Sequence, residues 1–210
     1  MDKSLVLVGG GGHCRSCIDV IESSGTWRIR GILDRDLPPG SDVLGYPVLG
    51  SDEAIAGLAD ENHFLITVGQ VKQARARVQL FESVVRAGGI PALVLAASAR
   101  LAKGAAAGNG TIIMHGALLN AGAQVGANCI LNTFSLIEHD CRIGDHTHIS
   151  TGAIVNGGCS VGSRVFIGSG AVLAHGVSIT DDTVIGAGSV VIRSVSEPGV
   201  YAGNPARKIS

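Results

Sequence analysis

One aliphatic residue recurs at every sixth position through the second half of this 210-residue chain. The row is unbroken and consists of Ile113, Leu119, Val125, Leu131, Ile137, Ile143, Ile149, Val155, Val161, Ile167, Leu173, Ile179, Ile185 and Val191. A period of six is a multiple of the strand period of two and not of the helical period of about 3.6, so the aliphatics share one face of extended segments. Hexads of this kind are typical of a parallel β-helix.

A small or compact residue follows four positions after each aliphatic and confirms the phase of the repeat, as at Ala117, Ala123 and Ala153. We expect three hexads to form one triangular coil. Residues three hexads apart should then stack at roughly 4.8 Å, one strand spacing. About five coils would span residues 101–192, with glycine and asparagine allowing the tight corners.

The first half of the chain alternates short apolar strands with helices. The pattern predicts strands at 4–8, 28–33, 64–68 and 90–95, a helix through about Ser24, and a second helix from Lys72 to Ala87. The first strand ends in four glycines, Gly9 to Gly12, directly before the first helix. Backbone N–H groups at a helix N-terminus favour a phosphate, and an acid about 20 residues further on usually meets a ribose hydroxyl.

This glycine-rich loop is not a complete dinucleotide-binding motif. Cys14 stands where the last glycine of G-x-G-x-x-G is required, and about 95 residues are too few for two mononucleotide-binding halves. A mononucleotide or a nucleotide-diphosphate sugar therefore fits better than NAD. The alternative is that the glycines serve only a tight strand-to-helix turn.

Composition and charge exclude several partners. The formal net charge is -1, which gives no reason to expect nucleic acid or an anionic membrane. No apolar run is long enough for membrane insertion and no signal peptide is recognisable, so we expect a cytoplasmic protein.

Cys129, Cys141 and Cys159 occupy small-residue positions of the hexads and are expected to be packed thiols. Cys14 and Cys17 form a lone CxxC, a weak signal for zinc or redox chemistry.

Several motifs together resemble a known family across essentially the whole chain. They are G-G-G-G-H at 9–13, the strand ending in Asp34, V-G-Q at 68–70, L-N-T at 131–133, I-E-H-D-C at 137–141 and G-N-P-A-R at 203–207. This combination resembles the PglD-like nucleotide-sugar acetyltransferases, relatives of the NeuD sialic acid O-acetyltransferases. The resemblance implies a Rossmann-like βαβ domain over residues 1–97 and a left-handed parallel β-helix with a C-terminal tail over residues 98–210. It also implies a homotrimer with acetyl-CoA in the groove between neighbouring β-helices.

The candidate catalytic residues lie in the most polar hexad. His139 is expected at a corner, where Asp140 can form a hydrogen bond with the imidazole and raise its basicity. Gly157, three hexads further on, should stack over His139 and offer its amide to the oxyanion of an acyl transfer. His139 would serve as the general base. The resemblance implies the same roles, with Asp140 standing where the family often has glutamate.

The resemblance also implies residues that hold acetyl-CoA. His148 matches a position that contacts the thioester region, but it lies half a coil from His139, so only a second subunit would bring the two together. Ser169 and Ala187 match positions along the CoA arm; alternatively, they are corner residues selected for their size. Arg207–Lys208 in the tail could meet the CoA phosphates.

The residues that the resemblance assigns to the nucleotide sugar come mainly from the first half. They are Gly11, Gly12 and His13 near the phosphates, Asp34 and Arg35 near the base or ribose, Gly69 behind the base, and Asn132 near the sugar. The family often has a second acid in place of Arg35. The identity of the base, uracil or guanine, stays open.

The predicted function is N-acetylation by acetyl-CoA, without a metal, of the 4-amino group of a nucleotide-linked amino-dideoxy sugar for glycan or lipopolysaccharide synthesis. O-acetylation of a sialic-acid-like sugar is the alternative within the class. A metalloenzyme resembling γ-carbonic anhydrase would need three histidines to converge across subunits, from the set His115, His139, His146, His148 and His175. A non-catalytic nucleotide-sugar scaffold is the remaining alternative.

Overall fold

The computed structural model describes residues 3–70 and 73–210. The first part is a six-stranded sheet whose strands are β1 (Lys3–Val8), β2 (Trp27–Leu33), β3 (Asp42–Val43), β4 (Tyr46–Gly50), β5 (His63–Ile66) and β6 (Ile90–Pro91). Their order across the sheet is β3-β4-β2-β1-β5-β6. All neighbours are parallel except the β3–β4 hairpin, which the sequence pattern did not predict.

Three α-helices accompany this sheet: α1 (Gly12–Ser24), α2 (Ile55–Leu58) and α3 (Arg75–Arg86). Helix α1 ends at Gly25, whose φ of 61° gives the left-handed conformation common after a helix C-terminus. Helix α3 corresponds to the predicted helix at 72–87, of which Lys72 lies outside the described residues. Cys14 and Cys17 lie on the buried face of α1, where burial raises the pKa of both thiols, to about 11 for Cys14. They are therefore packing groups.

The predicted strand at 90–95 is wrong as a single element. Its first residues form β6, which pairs with β5, whereas Val94–Leu95 forms β7 and pairs with the β-helix. Between the two, the Ala92 N–H donates to Phe64 O at 2.7 Å and the Val94 N–H donates to Thr111 O at 3.0 Å. The chain therefore passes from one sheet to the other within an apolar run that periodicity alone reads as continuous. The domain boundary between residues 97 and 98 stays a prediction.

The second half is a parallel β-helix with three faces. The first face contains β7 (Val94–Leu95), β10 (Ile112–Ile113), β13 (Ile130–Leu131), β16 (His148–Ile149), β19 (Phe166–Ile167), β22 (Thr183–Ile185) and the tail strands β24 (Gly199–Gly203) and β25 (Ala206–Lys208). The second face contains β8 (Arg100–Leu101), β11 (Leu118–Leu119), β14 (Leu136–Ile137), β17 (Ile154–Val155), β20 (Val172–Leu173) and β23 (Val190–Val191). The third face contains β9 (Ala106–Ala107), β12 (Gln124–Val125), β15 (Arg142–Ile143), β18 (Ser160–Val161) and β21 (Ser178–Ile179).

The predicted coil of three hexads is confirmed by the strand register. On the first face, Ile112 pairs with Ile130, Ile130 with His148, and His148 with Phe166. The aliphatic at each hexad position points inward and is buried, together with the small residues that follow it. Cys129, Cys141 and Cys159 are free thiols in this interior, as predicted.

The outward side chains differ between the three faces. The N-terminal sheet and its helices cover the first face, where Ile112, Met114 and Ile130 join the hydrophobic core of the first module. The second face presents a row of partly exposed aliphatics: Leu118, Leu136, Ile154, Val172 and Val190. The corresponding row on the third face is exposed and mostly polar: Ala106, Gln124, Arg142, Ser160 and Ser178. None of the helices described is long and apolar enough to span a membrane.

Candidate active site

A cleft of about 430 Å³ opens at the C-terminal ends of β1, β2 and β5. All the predicted substrate-binding residues except Asn132 line it: Gly11, Gly12, His13, Asp34, Arg35 and Gly69. In open parallel sheets, ligands bind outside the carboxyl ends of the strands. The position of this cleft agrees with that rule.

The glycine-rich loop shapes one wall of the cleft. A Cβ atom at Gly9 would lie 2.5 Å from Val68 Cγ2, and the φ of Gly9 is +109°, so this position requires glycine. A Cβ atom at Gly11 or Gly12 would meet no atom of residues 3–70 or 73–210 within 4 Å. In the part of the chain that the structure describes, no side chain caps the N-terminus of α1, and its first turn contains no acid. The amides at the start of α1 are therefore available to an anion in the cleft.

Asp34 holds the loops of the cleft in place. Its carboxylate accepts the N–H of Gly10 at 2.6 Å, of Asp36 at 2.9 Å and of Leu37 at 3.1 Å. Partial burial raises the pKa of Asp34. The three hydrogen bonds and the nearby Arg35 outweigh burial and hold this pKa below its ordinary value. Asp34 thus has a structural role in addition to the predicted contact with the nucleotide.

Two histidines lie between the cleft and the first face of the β-helix: His148 is buried and His13 is half-buried. His148 Nδ1–H donates to Gln70 O at 2.7 Å, and His148 Nε2 accepts the Asn132 amide at 3.2 Å. Burial, reinforced by the charge of Arg77, lowers the pKa of His148 to about 4 and that of His13 to about 3. Both imidazoles are therefore neutral at pH 7, and His13 Nε2 is buried without a partner among the described residues.

Sequence reasoning missed the residues that join the two modules. Arg77 is buried and donates to Ile66 O at 2.9 Å, Val68 O at 2.7 Å and Asn128 Oδ1 at 2.8 Å. Gln70 donates to Val165 O at 3.3 Å. No signal in the sequence identifies Arg77, because it is one of several arginines in a helix predicted to be polar.

His139 lies at the corner between the second and third faces. Its Nδ1 atom is 2.9 Å from Asp140 Oδ2, and the hydrogen bond with Asp140 is the main cause that raises the pKa of His139. Asp140 has a φ of 59°, which places it in the left-handed corner conformation. Because Nδ1 faces the carboxylate, the Nε2 atom is the one left to accept a proton.

The predicted stacking of Gly157 on His139 is confirmed. A Cβ atom at Gly157 would lie 2.5 Å from His139 Nε2, so the ring occupies the space that a side chain would fill. The N–H of Gly158 donates to His139 O at 2.9 Å, whereas within residues 3–70 and 73–210 the Gly157 N–H donates to no backbone carbonyl. The role of this amide as an oxyanion donor stays a prediction.

The structure does not bring all the predicted site residues together within one chain. Asn132 and His148 belong to the side of the first face, and Ser169 and Ala187 lie at the corner between the first and second faces, where Ser169 Oγ contacts Ser150 Oγ at 2.9 Å. His139 lies at the corner opposite the first face. Within one chain, the N-terminal cleft and His139 are therefore on opposite sides of the β-helix.

No metal site is apparent in the part of the chain that the structure describes. No group of three histidine, cysteine, aspartate or glutamate side chains there is placed to hold a metal ion. At the corner between the second and third faces, the His139 imidazole lies against Gly157; an imidazole can act as a base and a backbone amide as a hydrogen-bond donor.

Two family models and several solved structures match this chain. A family model described as the PglD N-terminal domain matches residues 4–84, and one described as the bacterial transferase hexapeptide matches residues 158–193. PerB from Caulobacter crescentus, solved in complex with CoA and GDP-perosamine, is 32% identical with a TM-score of 0.91, and the match covers 99% of this chain and 97% of PerB. The acetyltransferase domain of PglB from Neisseria gonorrhoeae, solved with acetyl coenzyme A, is 28% identical with a TM-score of 0.91 over 100% of both chains.

A further solved structure shares the fold at lower identity. WeeI from Acinetobacter baumannii is 23% identical with a TM-score of 0.80, and the match covers 99% of this chain and 100% of WeeI. Among curated proteins no match was found. The whole-length match to PerB and the two family models show that the chain is an acetyltransferase with a left-handed parallel β-helix, and that it belongs to the PglD-like nucleotide-sugar acetyltransferases of the hexapeptide-repeat superfamily.

Proposed function

We propose that the protein transfers an acetyl group from acetyl-CoA to the 4-amino group of a nucleotide-linked 4-amino-dideoxy sugar, with His139 as the general base. The observation that carries the proposal is the placement of His139 Nε2 against Gly157 while Asp140 holds Nδ1. The complexes of PerB with CoA and GDP-perosamine and of the PglB domain with acetyl coenzyme A support the two substrates. One of the matching structures is the perosamine N-acetyltransferase from Caulobacter crescentus. This relative transfers an acetyl group to nitrogen, which favours an amine over a hydroxyl group as the acceptor.

The mechanism follows from the needs of acyl transfer. The amine nitrogen attacks the thioester carbonyl, and His139 Nε2 takes its proton as the bond to carbon forms. The carbonyl oxygen becomes negatively charged, and the Gly157 N–H stabilises it. The bond between carbon and sulfur then breaks and releases CoA. Asp140 orients the imidazole and stabilises the imidazolium that forms.

The nucleotide part of the acceptor is assigned to the N-terminal cleft. The diphosphate would lie at the start of α1 against Gly11, Gly12 and His13, and the base or ribose would lie beside Asp34 and Arg35. Gly69 would pack behind the base. A thermal-shift series of UDP- and GDP-linked 4-amino sugars, followed by assays of thiol release from acetyl-CoA, tests this assignment. The same series identifies the nucleobase, uracil or guanine.

The active unit is proposed to be a homotrimer. Because the cleft and His139 lie on opposite sides of one β-helix, a sugar held in the cleft of one subunit would meet His139 of a neighbour. The subunit that does not supply His139 would then complete the site with His148, Asn132, Ser169 and Ala187. The aliphatic row on the second face supports this assembly, since such a stripe is stabilised when a neighbouring chain covers it.

Sedimentation tests the assembly. Ile154→Glu places a charge in the aliphatic row of the second face, and we expect it to yield monomers without activity. Ser160→Glu places the same charge in the polar row of the third face and serves as the matched control. A wild-type monomer with full activity would refute the proposal that the site is shared between subunits.

A further inference from the structure

A second imidazole faces the reacting centre from the other side of Gly157. His175 lies three hexads after Gly157, in the same corner column as His139, and is exposed. The ring centroids of His139 and His175 are 6.4 Å apart. Two coils separate their backbones by about 9.6 Å at the usual strand spacing, so the two rings lean towards each other.

Gly157 and Gly158 line the gap between the two rings. His139 Nε2 lies 2.5 Å, and His175 Cε1 3.7 Å, from the Cβ atoms that side chains at Gly157 and Gly158 would carry. The Gly157–Gly158 pair therefore has an imidazole on each side. A carbonyl group held at the Gly157 amide would be flanked by both rings.

Acetyl transfer from a thioester requires two proton transfers at different atoms. The attacking nitrogen loses a proton while the bond between nitrogen and carbon forms, and the sulfur gains one when the bond between carbon and sulfur breaks. In the tetrahedral intermediate, nitrogen and sulfur occupy different corners of the same carbon. Two groups can therefore divide the two transfers, one beside the nitrogen and one beside the sulfur.

We propose that His175 is the general acid that protonates the CoA sulfur as it leaves. The inference rests on the proposed function and extends it by a second catalytic residue. His139 Nε2 takes one proton from the amine, and His175 gives one proton to the thiolate, so the step is balanced within the site. His139 then returns its proton to solvent and His175 regains one, which their exposure permits.

The test compares two acetyl donors that differ in the acidity of the leaving thiol. The assay measures kcat/KM of the full-length enzyme for acetyl-CoA and for an acetyl thioester of an aryl thiol, which leaves readily without a proton. We expect His175→Asn to lower kcat/KM for acetyl-CoA about 10²-fold, at the lower end of general acid–base catalysis. With the aryl thioester, the loss should be less than about threefold, because the thiolate needs no acid.

His139→Asn is the matched control, since loss of the base should lower the rates with both donors alike. Thermal midpoints of both variants should stay near the wild-type value, because both side chains are exposed. An equal loss with both donors for His175→Asn, or no loss with acetyl-CoA, would overturn the assignment of the acid. A wild-type enzyme that does not use acetyl-CoA would refute the proposed function itself, which is a different outcome.

Discussion

Gly157→Ala should inactivate the enzyme without unfolding it. The Cβ atom that this change adds would lie 2.5 Å from His139 Nε2, 2.7 Å from Cε1 and 3.0 Å from Cδ2. Ordinary van der Waals contacts begin at 3.4 Å, so the ring must move by about 3.4 − 2.5 = 0.9 Å. Gly157 does not have a positive φ, so alanine introduces no backbone strain.

The displacement sets the magnitude of the effect. A misplacement of about 1 Å at a reacting centre costs about 10²-fold in rate, which corresponds to about 2.7 kcal/mol of activation free energy. The atoms that must move belong to the end of an exposed side chain, so the thermal midpoint should change little. Steady-state assays of thiol release from acetyl-CoA with the nucleotide amino sugar measure the loss of kcat.

A double-mutant cycle separates displacement of His139 from other effects. On a His139→Asn background, Gly157→Ala should lower kcat much less than it does alone, because the base is already absent. Gly57→Ala is the matched control: it lies in α2, lacks a positive φ, and its added Cβ would meet no atom within 4 Å. Wild-type kcat in Gly157→Ala would refute the position of the reacting centre proposed here.

Three further predictions test the cleft, the base and the buried His148. Gly12→Leu should raise the KM for the nucleotide sugar at least about tenfold by blocking the phosphate position, with little change in the KM for acetyl-CoA, in steady-state assays. Asp140→Asn should move the acid limb of the pH profile of kcat to lower pH, because the hydrogen bond with Asp140 raises the pKa of His139. The pKa of His148 is about 4 in the folded chain, against an ordinary 6.5, so the free energy of unfolding should fall by about 2 kcal/mol between pH 7 and pH 5 from His148 alone, measured from urea unfolding curves.

The sign of the last prediction follows from the protonation states. The unfolded chain binds a proton at His148 below about pH 6.5, whereas the folded chain resists it until about pH 4, so acid favours unfolding over this window. His148→Gln should reduce the pH dependence by the share of His148 whatever its effect on absolute stability, while His13, with a pKa of about 3, keeps its own share. An unchanged pH dependence would mean that His148 is not held neutral. If Gly12→Leu raised the KM for both substrates equally, Gly12 would not lie at the phosphate position. If the acid limb of the pH profile of kcat did not move in Asp140→Asn, Asp140 would not raise the pKa of the base.

The local pattern determined most of the fold of the second half. An aliphatic at every sixth position always falls on one face of extended segments, and three hexads form one coil in this class of repeat, as the strand register confirms. The same periodicity was sufficient to stack Gly157 on His139. Handedness did not follow from periodicity, because inward aliphatics are compatible with either hand. It came from the family.

Contacts between segments distant in the sequence decided the rest. The apolar run at 90–95 was divided because hydrogen bonds to Phe64 and Thr111 draw its two ends to different sheets. Arg77 joins the modules by donating from α3 to Asn128 O at 3.0 Å and Asn128 Oδ1 at 2.8 Å, a contact that no local pattern reveals. The cytoplasmic location stays a prediction.

The residues of the candidate site could be predicted from the sequence, but their relative placement could not. The residues around the glycine-rich loop were predictable, since a strand followed by glycines and a helix builds an anion site locally. The placement of that cleft opposite His139 was decided by which face of the β-helix the first module covers. That choice depends on the buried outward side chains of the first face, such as Ile112 and Ile130, packing against α1 and the sheet. Only the tertiary structure reveals it, because the outward rows of the first and second faces are both mostly aliphatic, and the sequence does not show which of the two the first module covers.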